Sequence, residues 1–141
     1  MKRSASAIWQ GNLKDGKGTI STESGVLSQT PYSFSTRFEN ARGTNPEELI
    51  ASAHAGCFSM ALSAELGKVG IAPESIHTTA AVTLERLDAG WTVTQIHLDV
   101  AARISGADPA KFTAAANAAK TGCPISRLLN ATIKMDARLE N

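Results

Sequence analysis

Residues 45–66 read NPEELIASAHAGCFSMALSAEL, and the fold is organised around that stretch. Asn45 suits a helix N-cap, where its side-chain oxygen accepts a backbone N–H that the first turn leaves unpaired. Pro46 has the fixed φ of a first helical residue, and Glu47 and Glu48 place negative charge at the positive end of the helix dipole. Asn45 and Glu48 also have the spacing of a capping box. The helix is expected to run to about Leu66 and to stop at Gly67 or Gly70. Leu49, Ile50, Ala53, Cys57, Phe58, Met60, Ala61, Leu62 and Ala64 set apolar or small residues nearly all round it. This predicts a core helix buried on most sides, whose small residues let a neighbouring helix approach closely.

Upstream of it the chain reads as strands and turns. Asp15-Gly16 marks a hairpin turn between Ala5–Leu13 and Gly18–Thr22, and Gln29-Thr30-Pro31 breaks the next stretch. Tyr32, Phe34, Thr36 and Phe38 then alternate with Ser33, Ser35 and Arg37, which predicts a half-buried strand with Arg37 opposite the aromatics. Downstream, Ile76, Thr78, Ala80, Val82 and Leu84 hold one face of a strand that turns at Leu87–Gly90. On the return strand Trp91 and Val93 are in one phase and Ile96, Leu98, Val100 and Ala102 in the other, so a bulge is expected near Thr94-Gln95. Asp108-Pro109 opens a second helix with an inner stripe of Phe112, Ala116, Ala119 and Cys123. Pro124 opens a short third helix, and Ala131, Ile133, Met135, Ala137 and Leu139 alternate along a last strand. The order βββ-α-ββ-αα-β indicates an α+β fold, a mostly antiparallel sheet with two main helices, in a single domain over residues 1–141.

Composition narrows the function classes. Fourteen Lys and Arg stand against 13 Asp and Glu, a net charge of +1, which argues against a nucleic-acid or anionic-membrane surface. With 43% hydrophobic and 19% charged residues, the 141-residue chain sustains a core and does not resemble a disordered segment. Near the N-terminus Lys2, Arg3, Lys14 and Lys17 occur without the apolar run of about seven residues that a secretory signal needs. Elsewhere Ser, Glu or Gly break the apolar stretches short of a membrane span, so the cytoplasm is the expected compartment.

Only two cysteines are present, Cys57 and Cys123, too few for a disulfide scaffold or a four-cysteine zinc site. Cys57 sits mid-helix among apolar neighbours, where burial alone would raise its pKa; a reactive thiolate there needs a nearby cation. In Gly122-Cys123-Pro124 the second thiol lies at the end of one helix and the start of the next. Both fall on the apolar faces of their helices, so packing of those helices would let the sulfurs approach. A thiolate that attacks a peroxide becomes a sulfenic acid, which a second thiol condenses with to give a disulfide. Two other classes stay open: a metal site built on His54 and Cys57 at i, i+3, with His77, His97 or Cys123 as further ligands, and a non-catalytic module binding a small apolar ligand.

Thr44-Asn45-Pro46-Glu47-Glu48-Leu49-Ile50 with Ala53-His54-Ala55-Gly56-Cys57-Phe58-Ser59-Met60-Ala61-Leu62 resembles the osmotically inducible protein C (OsmC) family. So do Thr22-Glu23-Ser24-Gly25-Val26-Leu27, Thr36-Arg37-Phe38-Glu39 and Ala119-Lys120-Thr121-Gly122-Cys123-Pro124-Ile125-Ser126. His54, where the organic hydroperoxide resistance branch tends to have Tyr, places the likeness on the OsmC branch. The resemblance implies an OsmC-like fold with a curved sheet, an intertwined homodimer with its sites at the subunit interface, and a hydroperoxide reductase in oxidative and osmotic stress defence. It implies no cofactor and no metal, and a dithiol reductant such as a lipoylated protein or a small dithiol. By motif, Cys57 is then the peroxidatic cysteine, Cys123 the resolving one, Arg37 the activating cation and Glu47 its orienting partner. Glu48 and Arg42 match those roles less well, and Gly56 replaces a commoner Ala without touching a catalytic atom.

Physical reasoning adds a constraint. Glu47 and Cys57 are ten residues apart on one helix, about 15 Å of axial rise, so one Arg37 is not expected to serve both within a chain. An antiparallel helix from a second subunit would solve this, giving a site with cysteines from one chain and Arg37 and Glu47 from its partner. Phe38, Leu49, Ile50, Phe58 and Met60 are the candidates for an apolar wall that favours organic hydroperoxides over hydrogen peroxide.

Overall fold

In the computed structural model, which describes residues 1–140, the chain divides into two compact units, Met1–Leu49 and Ile50–Asn141. The first unit holds an antiparallel sheet in the order β1 (Ala5–Gln10), β2 (Lys17–Thr22), β3 (Thr30–Ser33). Asn12 builds the β1–β2 turn by accepting at Oδ1 from the N–H groups of Lys14 and Asp15, at 3.0 and 2.8 Å. Gly18 lies opposite Tyr32 in the β2–β3 register, and a Cβ on Gly18 would stand 2.3 Å from the Tyr32 ring. Gly16 is as tightly placed, 2.8 Å from the Trp9 ring by the same construction.

The aromatic alternation after Tyr32 does not continue as a strand. Phe34–Phe38 forms a short helix, α1, because Ser33 and Thr36 cap it reciprocally: Thr36 N–H donates to Ser33 Oγ and Ser33 N–H to Thr36 Oγ1. A local Ser-x-x-Thr hydrogen-bond pair outweighs a four-residue alternation that no neighbouring strand supports. Arg37 is therefore a helical residue. Thr36 Oγ1 also donates to the Thr44 carbonyl at 2.9 Å, which folds the connecting loop back on α1.

The helix read from residues 45–66 is α2 (Pro46–Lys68). Glu48 N–H donates to Asn45 Oδ1 at 2.8 Å, as the N-cap reading requires. At the other end Gly70, with φ of 73°, lets its own N–H reach the Gly67 carbonyl and the Ile71 N–H reach the Leu66 carbonyl. In the second unit α2 buries one stripe, His54, Phe58, Leu62 and Leu66, and not most of its circumference. Ala53, Gly56, Met60, Ser63 and Ala64 are exposed, Met60 at 77%. The apolar face thus outruns what one chain covers. By length and composition α2 is also apolar enough to cross a membrane, which the sequence reading did not anticipate; its buried stripe packs into the core described next.

That core lies on a second three-stranded sheet, β4 (Ser75–Leu87), β5 (Gly90–Arg103) and β6 (Thr132–Glu140), with β5 in the middle. Ile96, Leu98, Val100 and Ala102 of β5 are wholly buried with Phe58, Leu62 and Leu66 of α2 and Phe112, Ala116 and Ala119 of α3 (Pro109–Gly122). Each large side chain so buried contributes about 2 kcal/mol relative to exposure. The phase change on β5 is a bulge: Thr83 pairs Gln95 but Leu84 pairs Val93, so Thr94 is the extra residue. Asp108 caps α3 by accepting from Ala110 N–H at 2.8 Å. The expectation of mostly antiparallel pairing holds: β1–β2, β2–β3 and β4–β5 are antiparallel, and β5–β6 is the parallel pair. The reason is topological: α3 and α4 (Pro124–Leu128) intervene, and a crossover of that length returns the chain in the same direction.

Candidate active site

Two groups of residues meet the chemistry expected from the sequence, one in each unit. In the second unit the turn from α3 to α4 brings Cys123 to α2. Gly122 is the last residue of α3, Cys123 caps it with an N–H to the Ala119 carbonyl at 2.9 Å, and Pro124 starts α4. The Cys123 and Cys57 sulfurs lie 2.8 Å apart, both as free thiols. That separation is longer than the bonded distance of about 2.05 Å, and short enough for one bond to form with little backbone movement. Cys123 is wholly buried and Cys57 partly so. Burial raises the Cys57 pKa, the Cys123 thiol hydrogen bond and charge raise it further, and the backbone N–H of Ile125 on Cys57 opposes them. Within this environment Cys57 stays a thiol at neutral pH, and a cation is what would convert it.

His54, one turn before Cys57, is wholly buried and shares a 2.8 Å hydrogen bond from Nε2 with Ser126 Oγ on α4. Among the described residues its buried Nδ1 has no hydrogen-bond partner. Among the described residues no cluster of three or more His, Cys, Asp or Glu is placed to hold a metal, and the Nε2 of His54 is committed to Ser126. Burial holds the His54 pKa below its ordinary value of 6.5. The sign follows: the unfolded chain takes up a proton that the folded chain refuses, so this contribution to stability is complete above pH 6.5 and is lost as the pH falls below it. Between about pH 7 and pH 5 the unfolding free energy measured in urea should fall, by up to about 1.4 kcal/mol per pH unit from this one group. His54→Gln should flatten that slope, and an unchanged slope in the variant would rule the assignment out.

The first unit holds the charged pair. Arg37 of α1 donates from Nε to both Glu47 oxygens, at 3.2 and 3.1 Å, and from Nη2 to Oε1 at 2.7 Å. Among the described residues Nη1 makes no such bond. The guanidinium also sits 5.1 Å from the centre of the Phe38 ring, a cation–π contact. Arg37 stands on the wall of a cleft of about 250 Å³ whose other walls are Trp9, Leu13, Tyr32, Ser33, Phe34, Phe38 and Pro46. Trp9 and Tyr32 pack at 5.4 Å between ring centres, and Phe34 and Phe38 at 4.8 Å.

Of the residues expected to form an apolar wall, Phe38 lines this cleft, beside Arg37. Leu49 and Ile50 are half-buried on α2, with Ile50 packed on the core; Phe58 is wholly buried in it, and Met60 points to solvent. Glu48 and Arg42 are exposed. Trp9, Tyr32 and Phe34, which also line the cleft, were not singled out from the sequence, because they come from β1, β3 and α1 and meet only once the chain has folded. Ile125 and Ser126 were also missed. The matched spacing was a usable signal: Ser126 follows Cys123 by three residues as Cys57 follows His54.

The family model for OsmC-like protein matches residues 39–138. The chain is 53% identical over 135 residues to peroxiredoxin OsmC of Escherichia coli (strain K12), covering 96% of this chain and 94% of that protein. It is 28% identical over 124 residues to organic hydroperoxide resistance protein OhrB of Bacillus subtilis (strain 168), covering 87% and 88%. Among solved structures, the fold is shared with that of an OsmC-like protein from Mycoplasma pneumoniae, with a TM-score of 0.78 at 14% identity over 100% and 99% of the two chains.

Proposed function

The chain belongs to the OsmC family, and from that premise we propose that it is a cysteine-based peroxidase that reduces organic hydroperoxides to alcohols. The observation that carries the reading is the pair of free thiols with sulfurs 2.8 Å apart. Cys57, as thiolate, attacks the terminal peroxide oxygen; the O–O bond breaks, the sulfur becomes a sulfenic acid, and the departing alkoxide takes a proton. Cys123 then attacks that sulfur, water leaves, and a Cys57–Cys123 disulfide remains. An external dithiol returns two electrons and two protons to reset the pair; a lipoyl-type dithiol fits that role. No cofactor enters the cycle.

Arg37 is the activating cation in this reading and Glu47 holds it by the two-point bond described above. The working unit is a homodimer, with the thiols of one chain facing Arg37 and Glu47 of its partner. Two observations support that arrangement: Cys57 has its pKa raised by its own chain's surroundings, and the exposed small-residue face of α2 suits close approach of a second helix. The aromatic cleft beside Arg37 supplies an apolar wall for the organic group of the peroxide, with Phe38 as the member foreseen from sequence. The cytoplasm, where reduced thiols are maintained, is the matching compartment.

One equivalent of cumene hydroperoxide should remove both thiols from the protein, and the same amount of hydrogen peroxide should do so more slowly, by about tenfold or more. Unchanged thiols after the organic peroxide would instead support a non-catalytic binding module. Faster reaction with hydrogen peroxide would refute the role given to the cleft.

A further inference from the structure

We propose that His54 and Ser126 form a positioning pair that holds α4 on α2 and thereby keeps both the Cys123 sulfur and the Ile125 N–H on the Cys57 sulfur. The inference rests on the reading of Cys57 and Cys123 as the attacking and resolving thiols. Two bridges run side by side between the same two segments. On α2, His54 and Cys57 are three residues apart, and across the turn Cys123 and Ser126 are also three apart. One bridge is the sulfur pair at 2.8 Å and the other the His54–Ser126 hydrogen bond, also at 2.8 Å.

Beyond this bond α4 is held at its two ends, by the buried N-cap Cys123 and by the C-cap Leu129, which packs on the core. It is five residues long, its N-cap Cys123 makes no side-chain capping bond, and Leu128 at its end is 74% exposed. A helix of that length is not stable by its own hydrogen bonds. Ser126 is its one buried residue, and the side chain it buries is polar. The buried face of α2 is otherwise Phe58, Leu62 and Leu66, so a histidine there with an unpartnered Nδ1 is a costly choice for packing alone. What a hydrogen bond adds over an apolar contact is a fixed distance and direction. Both matter three residues away, where a sulfenic acid has to meet a second sulfur and a thiolate has to keep the Ile125 N–H.

Three full-length variants test this. Ser126→Ala should slow the conversion of Cys57 sulfenic acid to disulfide by at least about tenfold, measured as dimedone-trapped sulfenic acid against time, while Ser126→Thr, which keeps the hydroxyl, should restore the wild-type rate. In a Cys123→Ser background, adding Ser126→Ala should move the Cys57 thiolate titration, followed at 240 nm, to higher pH. A Ser126→Ala protein that resolves at the wild-type rate overturns the proposal, as does a Ser126→Thr protein as slow as Ser126→Ala. Should the wild type keep both thiols in the presence of peroxide, the peroxidase reading fails on that result, and the thiolate titration alone decides the positioning role: a shift supports it and an unmoved titration overturns it.

Discussion

Cys57→Ser should lower kcat/KM for an organic hydroperoxide by at least about 10⁴-fold, to the background set by the peroxide and the reductant alone. A serine hydroxyl in the same place cannot become the anion that attacks oxygen, and no other described side chain on α2 offers a nucleophile at that position. Cys123→Ser should behave differently. Its first turnover proceeds, because the attacking thiol is intact and burial of the neighbour is unchanged, but the product stops at a Cys57 sulfenic acid that dimedone labels stoichiometrically. The geometry makes that distinction sharp: with sulfurs 2.8 Å apart, the wild-type protein gives the label little time. Equal losses of turnover in the two variants, with no trapped sulfenic acid in Cys123→Ser, would show that the two thiols do not divide the work in this way.

The second large effect concerns the charged pair. Arg37→Gln should lower kcat/KM by about 10² to 10³-fold, the usual cost of removing one group that stabilises developing negative charge. Arg37→Lys keeps the charge and loses the fork that grips Glu47 at Nε and Nη2, so it should fall between the two, about tenfold below wild type. Mixing the subunits then tests where the arginine acts. Cys57→Ser chains have a good Arg37 and Arg37→Gln chains a good Cys57; each alone falls to about 1% of wild-type activity or less. If Arg37 serves the partner's thiol, co-refolding equal amounts should recover about a quarter of wild-type activity, because half the dimers are mixed and each mixed dimer has one whole site. Activity no higher than the mean of the two separate variants would mean that each chain uses its own arginine.

What the sequence revealed, and what it concealed, follows from the range of the interactions involved. The α2 start was legible because Asn45, Pro46, Glu47 and Glu48 act on backbone groups within one turn of themselves. The bulge was legible because one extra residue, Thr94, reverses the phase of every side chain after it, and the row Ile96, Leu98, Val100, Ala102 records the reversal. Tyr32–Phe38 misled for the same local reason in reverse: a period-two pattern of three aromatics and a threonine cannot compete with the Ser33–Thr36 cap once the strand has no further partner. The parallel pairing of β6 depended on where a crossover ends, which no window of residues encodes. At the site, each thiol could be placed on an apolar helix face, and Arg37 and Glu47 came from motif likeness. The ion pair between those two, and the hydrogen bond between His54 and Ser126 across 72 positions, exist only once loops and helices have closed.

The glycines of the first sheet lead to a different kind of conclusion. Gly16 and Gly18 are not among the residues that line the cleft, yet each lies directly against a ring that does, Gly16 against Trp9 and Gly18 against Tyr32. A single methyl group at position 18 would have to push the Tyr32 ring aside, since the space beside the α-carbon is already filled by it. The bore of the cleft is therefore set from behind its wall. A substitution at either position would reshape the cleft without changing any residue that lines it.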